Sequence, residues 1–394
     1  MEFDIGNNRL VGQNTVREKL TNILQIERSH HAYLFSGPQG VGKKALALAF
    51  AEALQGISNL SDLGDQTTSK KSNWHTHPDI HLFIPRPAQV SSREMQERIG
   101  MLAEDPYDIV DFSRRPSTSS SDESKNRKAF YSVEYFSEEI RPLAFLKPNE
   151  GRSTIIILSD IETMRKEVSN AFLKLLEEPP PQVMFLLTCN QIDQLLPTII
   201  SRCQILRCPP IAEDEIRNGL IQFDGADEET ASYLARISGG NYDNTRYFDL
   251  QSLKQRREQI VQFLRYAYTQ DAVALTQLIK EWSDKLNIEA MLGIMSLMET
   301  FIRDVLIYQS TSQDDMITNE DQLTVIKNFA KRLKDARLEQ MLSNITEMRK
   351  LVFQNGNPKI ILTTLSLRFS SLMRGKDTAI SENEPWKHTP AYQD

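Results

Sequence analysis

His31-Ala-Tyr-Leu-Phe-Ser-Gly-Pro-Gln-Gly-Val-Gly-Lys-Lys44 is the stretch that decides the fold. Its apolar run Ala32–Phe35 reads as a buried strand, its glycines as a tight loop, and Ala45–Leu54 as a helix opening out of that loop. Strand, glycine loop and helix in this order make a phosphate cradle: backbone N–H groups and the helix N-terminus hold the anion and a lysine neutralises it. Gly37, Gly40, Gly42 and Lys43 fill the G-x-x-x-x-G-K positions, but Lys44 stands where a Ser or Thr hydroxyl would ligate Mg²⁺. An ammonium has no lone pair to give a metal, and its charge repels one. The loop therefore reads as a nucleotide site that has lost hydrolysis.

Further strand-like runs follow at Ile80–Ile84, Thr154–Leu158, Val183–Thr188 and Ile205–Arg207, alternating with helical segments. That alternation predicts an α/β module with a parallel sheet and helices on both faces. Residues 86–130 interrupt it with a polar insertion containing Arg114-Arg115-Pro-Ser-Thr-Ser-Ser-Ser121, around a short helix at Ser91–Ala103. Within it, 104–130 reads as mobile and too poor in apolar residues to share a core. Pro209-Pro210 closes the first module at about residue 210, and a small helical unit spans 211–249, its last helix ended by Gly239-Gly240. Residues 250–375 are helical throughout, and 376–394 read as a disordered tail. In Ile288–Leu306 the apolar residues recur at three- and four-residue steps, a stripe that reads as bundle core rather than a Met-rich partner groove.

The chain has 394 residues, 40% of them apolar and 25% charged, with a net charge of −7. That composition suits two or three ordinary globular domains, and the net charge gives no global pull towards nucleic acid and does not read as that of a free-standing DNA binder, so any DNA contact must come from a local patch or from partner subunits. No apolar run approaches the ~20 residues that span a bilayer, and no leader segment is evident, so a cytoplasmic protein without membrane contact is expected. Cys189, Cys203 and Cys208 lie close together in sequence, which suits reduced thiols better than a disulfide framework.

Three more strings complete a pattern with the loop His31–Lys43: Asn170-Ala-Phe-Leu-Lys-Leu-Leu-Glu-Glu-Pro-Pro180, Leu196-Pro-Thr-Ile-Ile-Ser-Arg-Cys203 and Asn357-Pro-Lys-Ile-Ile361. Together they resemble the AAA+ clamp-loader subunits of bacterial DNA polymerase III, across residues 5–375. The resemblance implies a P-loop AAA+ module over 1–210, a helical lid at 211–249 and an oligomerising collar at 250–375. It implies neighbouring subunits of the tau/gamma and delta types, and a sliding clamp and primed DNA reached through the complex. Arg202, in Ser201-Arg202-Cys203, matches the finger that reaches ATP on the adjacent subunit, where it offsets charge on the γ-phosphate.

Against the family's catalytic pattern the chain is uneven. Ser159-Asp160 follows the strand Ile155–Leu158 where Asp-Glu would hold Mg²⁺ and activate water, and Asp160 reads best as a strand-end residue without chemistry. Thr188 and Asn190 end the next strand, within reach of a γ-phosphate. The position after Ser238-Gly239-Gly240 where relatives carry an Arg is Asn244, with Arg246 two residues late. ATP or ADP would thus be held weakly, without turnover, by Gly37, Gly40, Gly42, Lys43 and Lys44 with Asp160 and Asn190. Many relatives carry a four-cysteine zinc module, but Gln55–Asp79 has no cysteine; His75 and His77 alone make a poor site, so no zinc is expected and Trp74 reads as packing. The reading is an ATP-inactive clamp-loader subunit; the alternatives are an active ATPase of the tau/gamma type or another AAA+ remodeller that tolerates Lys44, and a pure scaffold.

Overall fold

The computed structural model describes residues 10–25, 30–55, 74–112, 115, 128–150, 153–247, 253–285, 288–353 and 356–376. The chain divides into two compact units, Met1–Arg246 and Tyr247–Asp394.

In the first unit, five strands form one parallel sheet: β1 (Ala32–Ser36), β2 (Ile80–Phe83), β3 (Thr154–Leu158), β4 (Val183–Cys189) and β5 (Gln204–Arg207), in spatial order β2-β3-β4-β1-β5. All of β3 and β4 is buried, as expected for strands covered on both faces, which read as continuous apolar runs. β1 lies between β4 and β5, Leu34 in register with both Leu187 and Ile205, so the loop after β1 leaves from the sheet's interior.

Helices α1 (Asn14–Gln25), α2 (Lys43–Leu54), α3 (Ser92–Glu104) and α4 (Lys166–Glu177) surround this sheet. α4 carries the Leu-Leu-Glu-Glu signature; it buries Val168, Phe172, Leu175 and Leu176, with Phe172 edge-on to Phe185 of β4 at 5.2 Å. Prolines 179–181 end it, since they cannot extend its hydrogen bonding. The short α5 (Pro197–Ile200) leads into β5, and α6 (Glu213–Asp224) and α7 (Glu228–Ser238) complete the unit. Gly239 and Gly240 follow α7 at φ 62° and 83°.

The segment 105–112 corrects the expectation of a mobile insertion. Tyr107, Ile109, Val110 and Phe112 are all buried. The organiser is Arg98 of α3, itself fully buried, which donates to the carbonyls of Val110 and Arg115, both at 2.8 Å, and lies 3.8 Å over the Phe112 ring. Four apolar residues among polar ones suffice here because an interior guanidinium satisfies the segment's carbonyls. Residues 113–114 and 116–127 of the insertion lie outside the described residues, as does nearly all of the 376–394 segment read as a tail.

The second unit is helical: α8 (Leu253–Thr269), α9 (Ala272–Lys285), α10 (Ile288–Thr311), α11 (Leu323–Arg332), α12 (Leu338–Phe353) and α13 (Pro358–Leu372). The methionine stripe of α10 is core: Met291, Met295 and Met298 are buried beside Ile302 and Val305. Pro358 occupies the first turn of α13, and Asn357 caps it through its side chain, a physical reason for the Asn-Pro signature there. Among the described residues no helix is long and apolar enough to cross a membrane.

Candidate functional site

The phosphate loop bends through two left-handed glycines, Gly40 at φ 75° and Gly42 at φ 85°, the latter capping α2. A side chain at Gly40 would also collide with Asn241, whose Oδ1 would lie 1.6 Å from an added Cβ. The Gly40 carbonyl accepts from the backbone N–H of Tyr242 at 2.9 Å, which ties the loop to the turn after α7. Gly37 lies where β1 ends, its N–H donating to the Cys189 carbonyl.

A cavity of about 290 Å³ opens beside the loop, and Gly40, Gly42, Lys43, Lys44, Asp160 and Asn190 all line it. Lys43, 5% exposed, donates from Nζ to the carbonyls of Gly37 and Pro38 and to Asn190 Oδ1 at 2.9 Å. Burial lowers its pKa, against the opposing pull of the Asp160 carboxylate. Asn190 turns its Nδ2 to Asp160 Oδ1 at 2.9 Å and to Glu162 Oε1 at 2.8 Å, and its backbone N–H also donates to Glu162. The lysine that would face a phosphate and the asparagine that would sense it are thus engaged with the chain itself.

Around this relay, Thr188 Oγ1 accepts from the Asp160 N–H at 3.0 Å, and Asp160 stands at φ 50°, in the left-handed region that Asp tolerates better than most residues. Among the described residues neither the buried Ser159 hydroxyl nor Glu162 Oε2 has a hydrogen-bond partner, and Tyr131 holds the Ser159 carbonyl at 2.8 Å. Glu162, two residues past Asp160, is the member the sequence reading missed. Burial raises its carboxyl pKa, with the Asp160 charge adding to the rise. A pattern search for adjacent Asp-Glu passes over it; an acid within one helical turn of the strand end was the available signal.

Tyr107 closes the other side of the loop. An added Cβ on Gly42 would lie 3.1 Å from its ring, which packs edge-on against Tyr242 at 4.9 Å. Its hydroxyl oxygen accepts the Val11 N–H at 2.7 Å, and the side chain is 5% exposed. The Tyr107 phenol therefore packs against Val11, Gly42 of the loop and Tyr242 of the turn after α7. Asn244 stays within that turn, its Nδ2 donating to the Ser238 carbonyl. The Arg246 side chain lies outside the described residues.

Arg202 does not line this cavity. It stands at the end of α5, one-third exposed, with Nη1 on the Thr198 carbonyl at 2.9 Å and Nη2 on Glu177 Oε1 at 2.9 Å. The Leu-Leu-Glu-Glu and Ser-Arg-Cys signatures, apart in sequence, are thus joined by one surface ion pair. The three cysteines are free thiols, and burial pushes Cys203 and Cys208 up to about 12. Trp74 is buried as a packing residue, and its backbone N–H donates to Glu52. Among the described residues no group of three or more His, Cys, Asp or Glu is placed to hold a metal; 56–73 lie outside them.

The family model described as DNA polymerase III, delta subunit, matches residues 12–212, and that of the subunit's C-terminal part matches 251–371. The chain belongs to the DNA polymerase III delta subunit family. It is 23% identical to the DNA polymerase III subunit delta′ of Bacillus subtilis, over 90% of this chain and 95% of that one. The delta′ subunit of Pseudomonas aeruginosa is 25% identical, over 87% and 92%. The tau subunit of Salmonella typhimurium is 28% identical but matches 54% of this chain and 26% of its own. Likeness to the delta′ subunits covers about nine-tenths of the chain, whereas likeness to tau covers little more than half of it.

Proposed function

We propose that this chain is the delta′ subunit of a DNA polymerase III clamp loader in DNA replication, silent at its own phosphate loop and offering Arg202 to ATP on an adjacent subunit. The observation that carries the reading is the contrast between the two places: Lys43 and Asn190 are spent on internal partners, while Arg202 stands at the surface on one exposed ion pair and the Thr198 carbonyl.

A phosphate at the loop still finds the backbone donors of Gly40–Lys44 and the start of α2, so its residues fit an anion. They do not fit Mg²⁺: Lys44 replaces the hydroxyl ligand and Ser159 the aspartate. ATP or ADP is accordingly held weakly, without turnover. The structural metal of relatives has no counterpart in this reading.

Arg202 must leave Glu177 to reach a neighbour's nucleotide. Their side chains are 33% and 49% exposed, and such a pair contributes about 0–1 kcal/mol. Finger-type contacts change hydrolysis by about 10³–10⁵, or roughly 4–7 kcal/mol at 1.36 kcal/mol per power of ten. At the transition state that gain exceeds the loss of the Glu177 pair by several kcal/mol. Residues 211–249 act as the lid that sets the angle to the next subunit, and 250–375 as the collar joining the ring. Partners are tau/gamma- and delta-type subunits, with the sliding clamp and primed DNA engaged through the assembly.

In a reconstituted loader, Arg202→Ala should leave assembly intact and abolish hydrolysis at one neighbouring site, by about a thousandfold there. Arg202→Lys should not restore it, because a point charge lacks the planar fork. Wild-type hydrolysis and clamp loading by the assembled variant would overturn the finger assignment.

A further inference from the structure

The helical unit holds a second cleft, of about 420 Å³, lined by Arg265, Tyr268 and Thr269 of α8 and by Asn328, Phe329 and Arg332 of α11. Its volume lies within the roughly 300–1,000 Å³ typical of small-ligand pockets.

Elsewhere on these helices Arg257 pairs with Asp321, Lys327 pairs with Asp314, and Arg256 donates to Gln259. Arg265 and Arg332 are exposed, and among the described residues their side chains have neither a carboxylate nor any hydrogen-bond acceptor. Arg332 is not engaged in capping α11 either. Gln309 Nε2 donates to the Ala330 and Leu333 carbonyls at 3.1 and 2.8 Å, satisfying the end of that helix. Two half-buried rings, Tyr268 and Phe329, line the same cleft as the guanidiniums. Phe329 is fixed edge-on against Phe301 at 5.3 Å, and the Tyr268 backbone is held by Arg374, whose Nη2 donates to its carbonyl at 2.7 Å. The Arg374 guanidinium also lies 6.0 Å from the Tyr268 ring, adding positive charge beside the cleft.

Unpaired guanidiniums set around fixed aromatic faces are the chemistry that binds a single nucleic-acid strand, with cations on phosphates and rings under bases. We propose that the α8–α11 cleft is a single-stranded nucleic-acid site, in which Arg265 and Arg332 take backbone phosphates and Tyr268 stacks on a base. A run of carboxylates would satisfy the arginines but leave the rings unused. On a chain of net charge −7, such a local patch is what a nucleic-acid contact requires. The proposal goes beyond the clamp-loader reading: that one fails in an assembly or hydrolysis assay, this one in a binding assay on the full-length chain alone.

The test is fluorescence anisotropy of a labelled short oligothymidylate against the full-length protein over a salt series. Arg265→Gln with Arg332→Gln should reduce affinity at low salt by more than tenfold and flatten the log–log salt slope by about 1.4, the value for two single-strand phosphate contacts. Tyr268→Leu should weaken binding about tenfold with the slope unchanged, and Tyr268→Phe should bind like wild type. Melting curves identify a variant that fails to fold; Arg332→Gln alone then carries the test, with half the change in slope. Absence of oligothymidylate binding, or binding indifferent to these substitutions, would overturn the proposal. So would polyglutamate outcompeting the oligonucleotide at equal charge, which would make the cleft an acidic-peptide site, or inorganic phosphate displacing it at equal phosphate concentration.

Discussion

Removing the Tyr107 ring should strengthen nucleotide binding at a measurable loss of stability. The ring is buried against Gly42 and Tyr242, and its oxygen accepts the Val11 N–H at 2.7 Å. Truncating a buried aromatic to Ala costs about 3–5 kcal/mol, and leaving a buried N–H unpaired adds about 1–3. The sum, about 4–8 kcal/mol, approaches the roughly 5–15 kcal/mol that holds a typical domain folded, so Tyr107→Ala should melt well below wild type. The same sum bounds what a nucleoside must overcome to enter the wild-type slot, up to roughly three to six powers of ten in affinity. In Tyr107→Ala that barrier is gone and the Val11 N–H is free to meet a base acceptor. ADP at a hundred times its dissociation constant should then return about 2.7 kcal/mol of stability. Differential scanning fluorimetry with and without ADP, without Mg²⁺, measures both effects. Tyr107→Phe is the control: it leaves the ring in place, loses only the acceptor, and should be modestly destabilised without gaining nucleotide response. Equal ADP response in wild type, Tyr107→Phe and Tyr107→Ala would refute the view that the phenol occupies the base slot.

Glu162 binds more protons folded than unfolded between the ordinary glutamate value near 4.5 and its raised one, since burial first and Asp160 second penalise its charge. Stability from this group is present below that window and lost as pH rises through it, so Glu162→Gln should melt higher than wild type at neutral pH and lose the advantage in acid. Should purified wild type hydrolyse ATP and Glu162→Gln abolish it, the silent-site reading fails. Asp304 is buried on α10 and accepts from the Thr318 and Asn319 N–H groups at 3.1 and 2.8 Å and from Asn319 Nδ2 at 2.6 Å; Asp304→Ala should destabilise the helical unit by about 3 kcal/mol in denaturant melts. Glu177→Ala should change melting by about 1 kcal/mol or less and leave the assembled loader's ATPase intact, whereas Arg202→Ala should lower it.

The sheet was legible because each of its strands is a short apolar run between turn residues, and the loop because strand, glycines and helix occur in an obligatory order. β2 and β4 differ from expectation only at their ends, where assignments shift by a residue or two. Tyr107 was hidden by composition: averaged over 104–130 the segment is polar, and the averaging conceals that 105–112 docks through the buried Arg98, a residue type that composition counts as surface. Glu162 was hidden by register, since it reaches Asn190 only because Asp160 takes a left-handed φ and re-aims the turn. Both misses are contacts over long sequence separation, which neither periodicity nor a short motif encodes.

The same geometry explains why losses at the loop and retention of Arg202 can coexist in one chain. At the loop, Lys43, Asp160 and Glu162 close on one another through Asn190, which links the strand ends in one hydrogen-bonded network. Arg202 draws its position from elsewhere: Pro197 starts α5, the Thr198 carbonyl anchors one side of the guanidinium, and Glu177 at the end of α4 holds the other. None of these contacts passes through the loop. In the proposed reading, an element that serves a neighbour's chemistry can therefore stay in place whatever happens at the chain's own loop, and Arg202 is presented in one constant arrangement.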